Sequence, residues 1–182
     1  VMPLPKYGYQ RGFDFVYNLR GHDDDNHYYA EDPIYHLKME DYHKPAYRTD
    51  ENGNEVEEMW SQFSKDEMVG YLAQRQYWRT DEDQNVAHIA KQSIRFLEEI
   101  DRNKPFFLWI DSFDPHEPWD APSIYDPDKK CPYDPDYDGQ EIWNPVSTYA
   151  DNVYTDREME HIRALYAEKV TNVDKWIGKV LD

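Results

Sequence analysis

The sequence predicts an α/β fold, with mixed or parallel strands flanked by helices and joined by long irregular loops. Three observations predict it. Phe106-Phe107-Leu108-Trp109-Ile110 is a continuous apolar run without helical gaps, the pattern of a strand covered on both faces. A helical pattern closes just before it, and a helix feeding a strand is half of a right-handed crossover unit. A second long helical pattern occupies the end of the chain.

Taken in order, Gly12-Phe13-Asp14-Phe15-Val16-Tyr17 suits a short strand, followed by the polar loop Gly21 to His27. Asp50-Glu51-Asn52-Gly53-Asn54 is turn chemistry and predicts a hairpin between Tyr47 and Val56. Ser64 and Glu67 form a capping box for a helix over 65–77 that buries Met68 and Leu72. Thr80-Asp81-Glu82-Asp83 opens the next helix, with acids where the dipole favours them. Val86, Ile89, Ala90, Ile94, Leu97 and Ile100 make its apolar face, and Asn103 and Pro105 end it before the strand at 106–112. Prolines at 115, 118, 122, 127, 132, 135 and 145 make 114–154 a long loop, a length that usually signals function. Thr155 and Glu158 form another capping box. The last helix, from 156, is expected to bury Ile162, Leu165 or Tyr166, Val170, Val173, Ile177 and Val180. No strand follows it, so the chain is expected to be a piece of a larger domain.

The formal charge is −18, with 38 acidic and 20 basic residues. Such a chain repels nucleic acid and anionic membranes, whose binding rests on clustered Lys and Arg. No apolar run approaches the roughly 20 residues of a membrane span. Aliphatic content is low, but 16 Tyr and 6 Trp supply large apolar bodies and argue for a folded chain. The single cysteine, Cys131, excludes an intrachain disulfide; its Cys-Pro-Tyr-Asp-Pro setting is a turn and favours a structural thiol.

Pro115 and Pro118 stiffen the backbone around His116, just past the predicted strand. Ligands of open α/β sheets bind beyond the carboxyl ends of strands, where a rigid histidine can donate a hydrogen bond to an anion or a leaving group. A surface loop with an idle histidine fits the same residues. Asp111 and Asp114 flank this strand end and suit acid/base work, with a structural acceptor as the alternative for Asp111. Asp134-Pro-Asp136-Tyr-Asp138-Gly139 resembles a calcium loop, but position twelve is Pro145 instead of Glu, so the motif fails; an acidic turn is the main reading, with calcium held in another geometry as the alternative. His22 and His27, with three aspartates between them, fit no zinc spacing. Trp119, Tyr125, Tyr133, Tyr137, Trp143 and Tyr149 are either sugar-stacking platforms or substitutes for missing aliphatic core.

Three segments in order carry a resemblance to sulfatases of the alkaline-phosphatase superfamily. Pro5 through Gly12-Phe13-Asp14-Phe15 resembles the family's P…GFD.F segment. Lys104-Pro105-Phe106-Phe107-Leu108 through Pro115-His116-Glu117-Pro118-Trp119, then Pro122 and Tyr125, resembles PFFL…PH.P…P..Y. Tyr166 through Val170, Val173, Asp174, Ile177, Gly178 and Leu181 resembles Y.a.V..vD..iG.vL. Together they span nearly the whole chain.

The resemblance implies that residues 1–182 are the internal portion of a single sulfatase catalytic domain, with a partial alkaline-phosphatase-like fold. Sulfatases oxidise the Cys or Ser of Cys/Ser-x-Pro-x-Arg to a formylglycine nucleophile. That motif does not occur here; after Cys131, Tyr133 and Pro135 stand where Pro and Arg belong. The family's early Asp-Asp ligands and Lys-Trp-His-Leu-Gly stretch would precede Val1, and its later metal pair would follow Asp182. Of the family's functional residues only His116 carries over, as the catalytic and substrate-binding histidine that contacts the sulfate ester and helps protonate the leaving oxygen. No metal ligand is assigned. The intact enzyme is expected to use a divalent cation, calcium in most sulfatases, as a Lewis acid. This chain alone is expected to bind none, to be inactive, and to self-associate through exposed apolar helix faces. The implied substrate is a sulfate ester, sulfated carbohydrate included, with no nucleic-acid or membrane partner. The alternatives are a phosphodiesterase or phosphonate hydrolase of the same superfamily, and an acidic, aromatic-rich carbohydrate-binding module.

Overall fold

Helix α1 (Asn85–Glu99) has Gln84 as its N-cap, which makes no side-chain cap bond; the capping chemistry the sequence carries lies one step earlier. A 3₁₀ turn, Asp81–Asp83, precedes it, with Thr80 as N-cap and the Asp83 carboxylate accepting from the Thr80 backbone N–H at 2.9 Å. The helix stops at Ile100, whose N–H returns to the Phe96 carbonyl. Helix α3 (Asp156–Leu181) is built the same way on Thr155 and Glu158, and runs for 26 residues. Between them lies one short helical turn, α2 (Pro122–Tyr125), with proline in its first turn where no N–H is needed. These elements belong to a computed structural model that describes residues 8, 10–19, 44–45, 47–57, 75, 77–126, 128–146 and 153–182.

The described sheet is the predicted hairpin. Strands β1 (Tyr47–Thr49) and β2 (Glu55–Glu57) pair antiparallel, Arg48 opposite Val56. The Asp50 carboxylate accepts from the Asn52 and Asn54 backbone N–H groups at 2.9 and 2.8 Å, and Gly53 turns the chain at φ +83°. The helix predicted over 65–77 lies outside the described residues except for Arg75 and Tyr77.

The core forms three clusters around α3. Val86, Ala87 and Ala90 of α1 pack on Val173 and Trp176. Leu165 and Ala164 pack on Ala121, Cys131 and Trp143. Ile162 packs on Ile142 and Tyr154. So the loop that follows residue 113 is folded onto α3 and supplies its apolar cover in two of the three clusters. Among the described residues no helix is long and apolar enough to cross a membrane.

Two expectations are corrected. The segment 106–112 is not a strand covered on both faces. It joins no ladder among the described residues, and Phe107 and Trp109 remain 73% and 63% exposed. Its cover is partial and aromatic: Phe13 stands 6.1 Å from Phe107 and 6.5 Å from Trp109, and Phe96 of α1 stands 6.0 Å from Phe106. The predicted strand 12–17 likewise has no ladder, although its Phe13 and Phe15 lie against these aromatics and Phe96. The second correction is the inner face of α3. Tyr166, Val170 and Ile177 are exposed, whereas His161, Glu168, Lys169 and Asn172 are buried. Apolar spacing misplaces this face because its polar residues go inside as members of hydrogen-bonded pairs.

Candidate active site

His116 sits in the seven-residue turn Asp114–Asp120, just past the aromatic segment. Its imidazole is half-exposed and packs on the Phe113 ring, with centroids 4.1 Å apart. Nδ1 lies 3.0 Å from the Glu117 carbonyl and 3.1 Å from the Glu117 carboxylate. Both neighbours are acceptors, so Nδ1 carries the proton and donates. That fixes the ring and leaves Nε2 as the nitrogen presented outward. The backbone is pinned too: the His116 N–H donates to Phe113 O at 3.0 Å, and the Trp119 N–H donates to Trp143 O at 2.6 Å.

Below the turn is a fully buried charge network. Lys169 Nζ lies 2.9 Å from Asp114 Oδ1, 2.7 Å from Asp120 Oδ1 and 3.3 Å from Gln84 Oε1. Asp120 also accepts from Arg75 Nε at 2.8 Å and from the Tyr125 hydroxyl at 3.1 Å. Gln84 completes the net by donating to the Asp120 carbonyl at 2.8 Å while accepting from Asn172 Nδ2 at 2.8 Å. Burial alone would raise the Asp120 pKa, but the Lys169 and Arg75 charges outweigh it and hold it down to about 2. For Lys169 burial works downward, and Asp114 and Asp120 overcome it, so the pKa is raised and the ammonium stays charged.

A second cluster, centred on the buried His161, ties the loop to the start of α3. His161 lies between two carboxylates, with Nδ1 2.9 Å from Asp134 and Nε2 2.7 Å from Glu141. Its ring stacks on Tyr137 at 3.6 Å, and Arg157 holds Asp134 from the other side with two bonds of 2.6 and 2.7 Å. Burial pushes the His161 pKa down, but Glu141 and Asp134 outweigh it and raise it above the ordinary 6.5. A raised pKa means the stabilisation is complete below about pH 6.5 and is lost as pH rises through the folded value. Asp134, held near 2 by Arg157 and His161, stays ionised throughout that window. The unfolding temperature of the wild type should therefore exceed that of His161→Gln by a wide margin below the ordinary 6.5, with the gap narrowing as pH rises through the raised folded value. A gap that is constant or widens with pH would contradict the doubly paired imidazolium.

With this geometry in place, the comparison with known families becomes specific. A sulfatase family model matches residues 4–182, nearly the whole chain. The chain belongs to the sulfatase family. Neither the curated proteins nor the solved structures gave a match. Membership places this sulfatase chain in the alkaline-phosphatase superfamily, with its α/β fold, among hydrolases that generally depend on a divalent cation. Among the described residues no group of three or more His, Cys, Asp or Glu side chains is arranged to hold a metal ion.

The other predicted candidates take structural places. Asp114 is bound to Lys169, while Asp111 is exposed. Asp134, first residue of the failed calcium pattern, is the anchor for Arg157 and His161. The Cys131 thiol is buried and its pKa is pushed up to about 11, a thiol and not a thiolate at neutral pH. Trp143 and Tyr137 are buried, Trp119 packs in the core, and Tyr125 bonds Asp120, so these aromatics do not form an exposed sugar platform. Of that set Tyr133 is exposed; Tyr149, His22 and His27 lie outside the described residues. Lys169, Asp120 and His161 were not legible as site-related residues. The available signal was a lysine and a histidine falling on the inner face of α3, opposite a loop rich in aspartate.

Proposed function

We propose that residues 1–182 form the internal portion of a single sulfatase catalytic domain, and that the enzyme containing them hydrolyses sulfate esters, sulfated carbohydrates among them. The observation that carries this reading is His116: a half-exposed imidazole with Nδ1 tied to Glu117 and Nε2 without a bond among the described residues, in a chain of sulfatase sequence. In the protonated ring, Nε2–H donates to the ester oxygen that departs as the S–O bond breaks. This supplies the proton the leaving alcohol requires. Phe113 and Glu117 keep the ring from turning away. The nucleophile, a formylglycine, and calcium, which supplies Lewis-acid charge stabilisation, are assigned to segments other than residues 1–182. No nucleic-acid or membrane partner is assigned, since a formal charge of −18 opposes polyanions. Exposed Phe107 and Trp109 favour self-association of the chain when isolated.

The test is an assay of the full-length polypeptide and of residues 1–182 alone, both on an aryl sulfate with calcium present. The full-length enzyme should turn over the sulfate ester and the isolated chain should not. Turnover by the isolated chain would contradict the assignment of the nucleophile elsewhere. A preference of the full-length enzyme for a phosphodiester or phosphonate would replace the sulfatase reading with the sister chemistry of the superfamily.

A further inference from the structure

We propose that Lys169 is a positioning residue for His116. The inference rests on the catalytic reading of His116 given above. The turn that presents His116 begins at Asp114 and ends at Asp120, and one ammonium bonds both: Lys169 Nζ is 2.9 Å from Asp114 Oδ1 and 2.7 Å from Asp120 Oδ1. Lys169 therefore closes the turn from beneath like a clasp. The clasp is rigid because all three members are buried, and Nζ has a third oxygen, Gln84 Oε1, at 3.3 Å. An ammonium has three donors and here three acceptors, so it has no reason to leave. The clasp is also fixed to the scaffold, since Lys169 stands in the middle of α3 and Asp120 is held independently by Arg75 at 2.8 Å. Above it the side chain of His116 is half-exposed, and its other supports are the Phe113 ring, Glu117 and the Trp119–Trp143 backbone bond.

A buried lysine paired with two aspartates also serves stability, so the test must separate the two roles. In the full-length enzyme, Lys169→Met removes the clasp, and Asp114→Asn weakens it at one end while leaving the Asp120 pairs with Lys169 and Arg75 in place. Turnover of an aryl sulfate should fall about 10- to 100-fold in each folded variant, chiefly in kcat, as expected for a small misplacement of a proton donor. Each variant combined with His116→Ala should be no slower than His116→Ala alone, because the clasp acts only through that ring. Losses that multiply with those of His116→Ala, or a wild-type rate in folded Asp114→Asn, would overturn the inference. If Lys169→Met does not fold, Asp114→Asn decides. A wild-type rate for His116→Ala itself would instead remove the catalytic reading on which the clasp depends.

Discussion

Replacing His116 with alanine in the full-length enzyme should lower kcat/KM for a sulfate ester by roughly 10²–10⁴-fold, the range of a positioned proton donor. That is about 3–5 kcal/mol of transition-state stabilisation. The loss should depend on the leaving group. An aryl sulfate whose phenol is acidic needs little help from a proton, whereas an alkyl or sugar sulfate expels a basic alkoxide and needs it most. The variant should therefore be impaired more on the sugar sulfate than on the activated aryl sulfate. Its unfolding temperature should stay at the wild-type value, because the side chain is 40% exposed and its ring contacts are with Phe113, just before the turn, and Glu117 within it. An equal loss on both substrates, or a destabilised protein, would place His116 in a structural role.

The second large effect is on stability. Asp120 neutralises two buried cations, Lys169 at 2.7 Å and Arg75 at 2.8 Å. Asp120→Asn keeps the shape but leaves those charges without it. Breaking a buried pair from one side typically costs about 3–5 kcal/mol, which for a domain of this size lowers the melting temperature by on the order of 10 °C. Removal of the cations' partner, more than loss of attraction, sets the cost. The same group fixes an acid limb. Its folded pKa of about 2 lies below the ordinary 3.8, so its contribution is present above about 3.8 and lost as pH falls toward 2. Asp120→Asn should flatten that part of the stability curve. A variant as stable as wild type at pH 7 would show that the two cations find other partners.

Both helices and the hairpin are legible in the sequence because their signals are local. Thr80 with Asp83, Thr155 with Glu158, and Asp50 with Gly53 each act within a few residues. The His116 turn is legible for the same reason, as Pro115 and Pro118 frame it. Burial is a different matter. Whether Phe106–Ile110 is covered depends on what lies beside it, and an apolar run cannot name its neighbours. The inner face of α3 depends on partners far away in the chain: His161 meets Asp134 across 27 residues, Lys169 meets Asp120 across 49, and Asn172 meets Gln84 across 88. A lysine or histidine in a helix reads as solvent-facing until such a partner is known. The clasp beneath His116 is hidden for that reason, although both of its aspartates flank the Pro115–Pro118 frame.

The most direct measurement is a structure of the full-length enzyme with a sulfate ester bound and its turnover blocked by substitution of the nucleophile. His116 Nε2 should lie within about 2.7–3.2 Å of the ester's bridging oxygen or of an adjacent sulfate oxygen, with Nδ1 still on Glu117. A sulfate group seated with no imidazole atom within about 3.5 Å, and the ring of His116 turned to solvent, would contradict its place in the reaction.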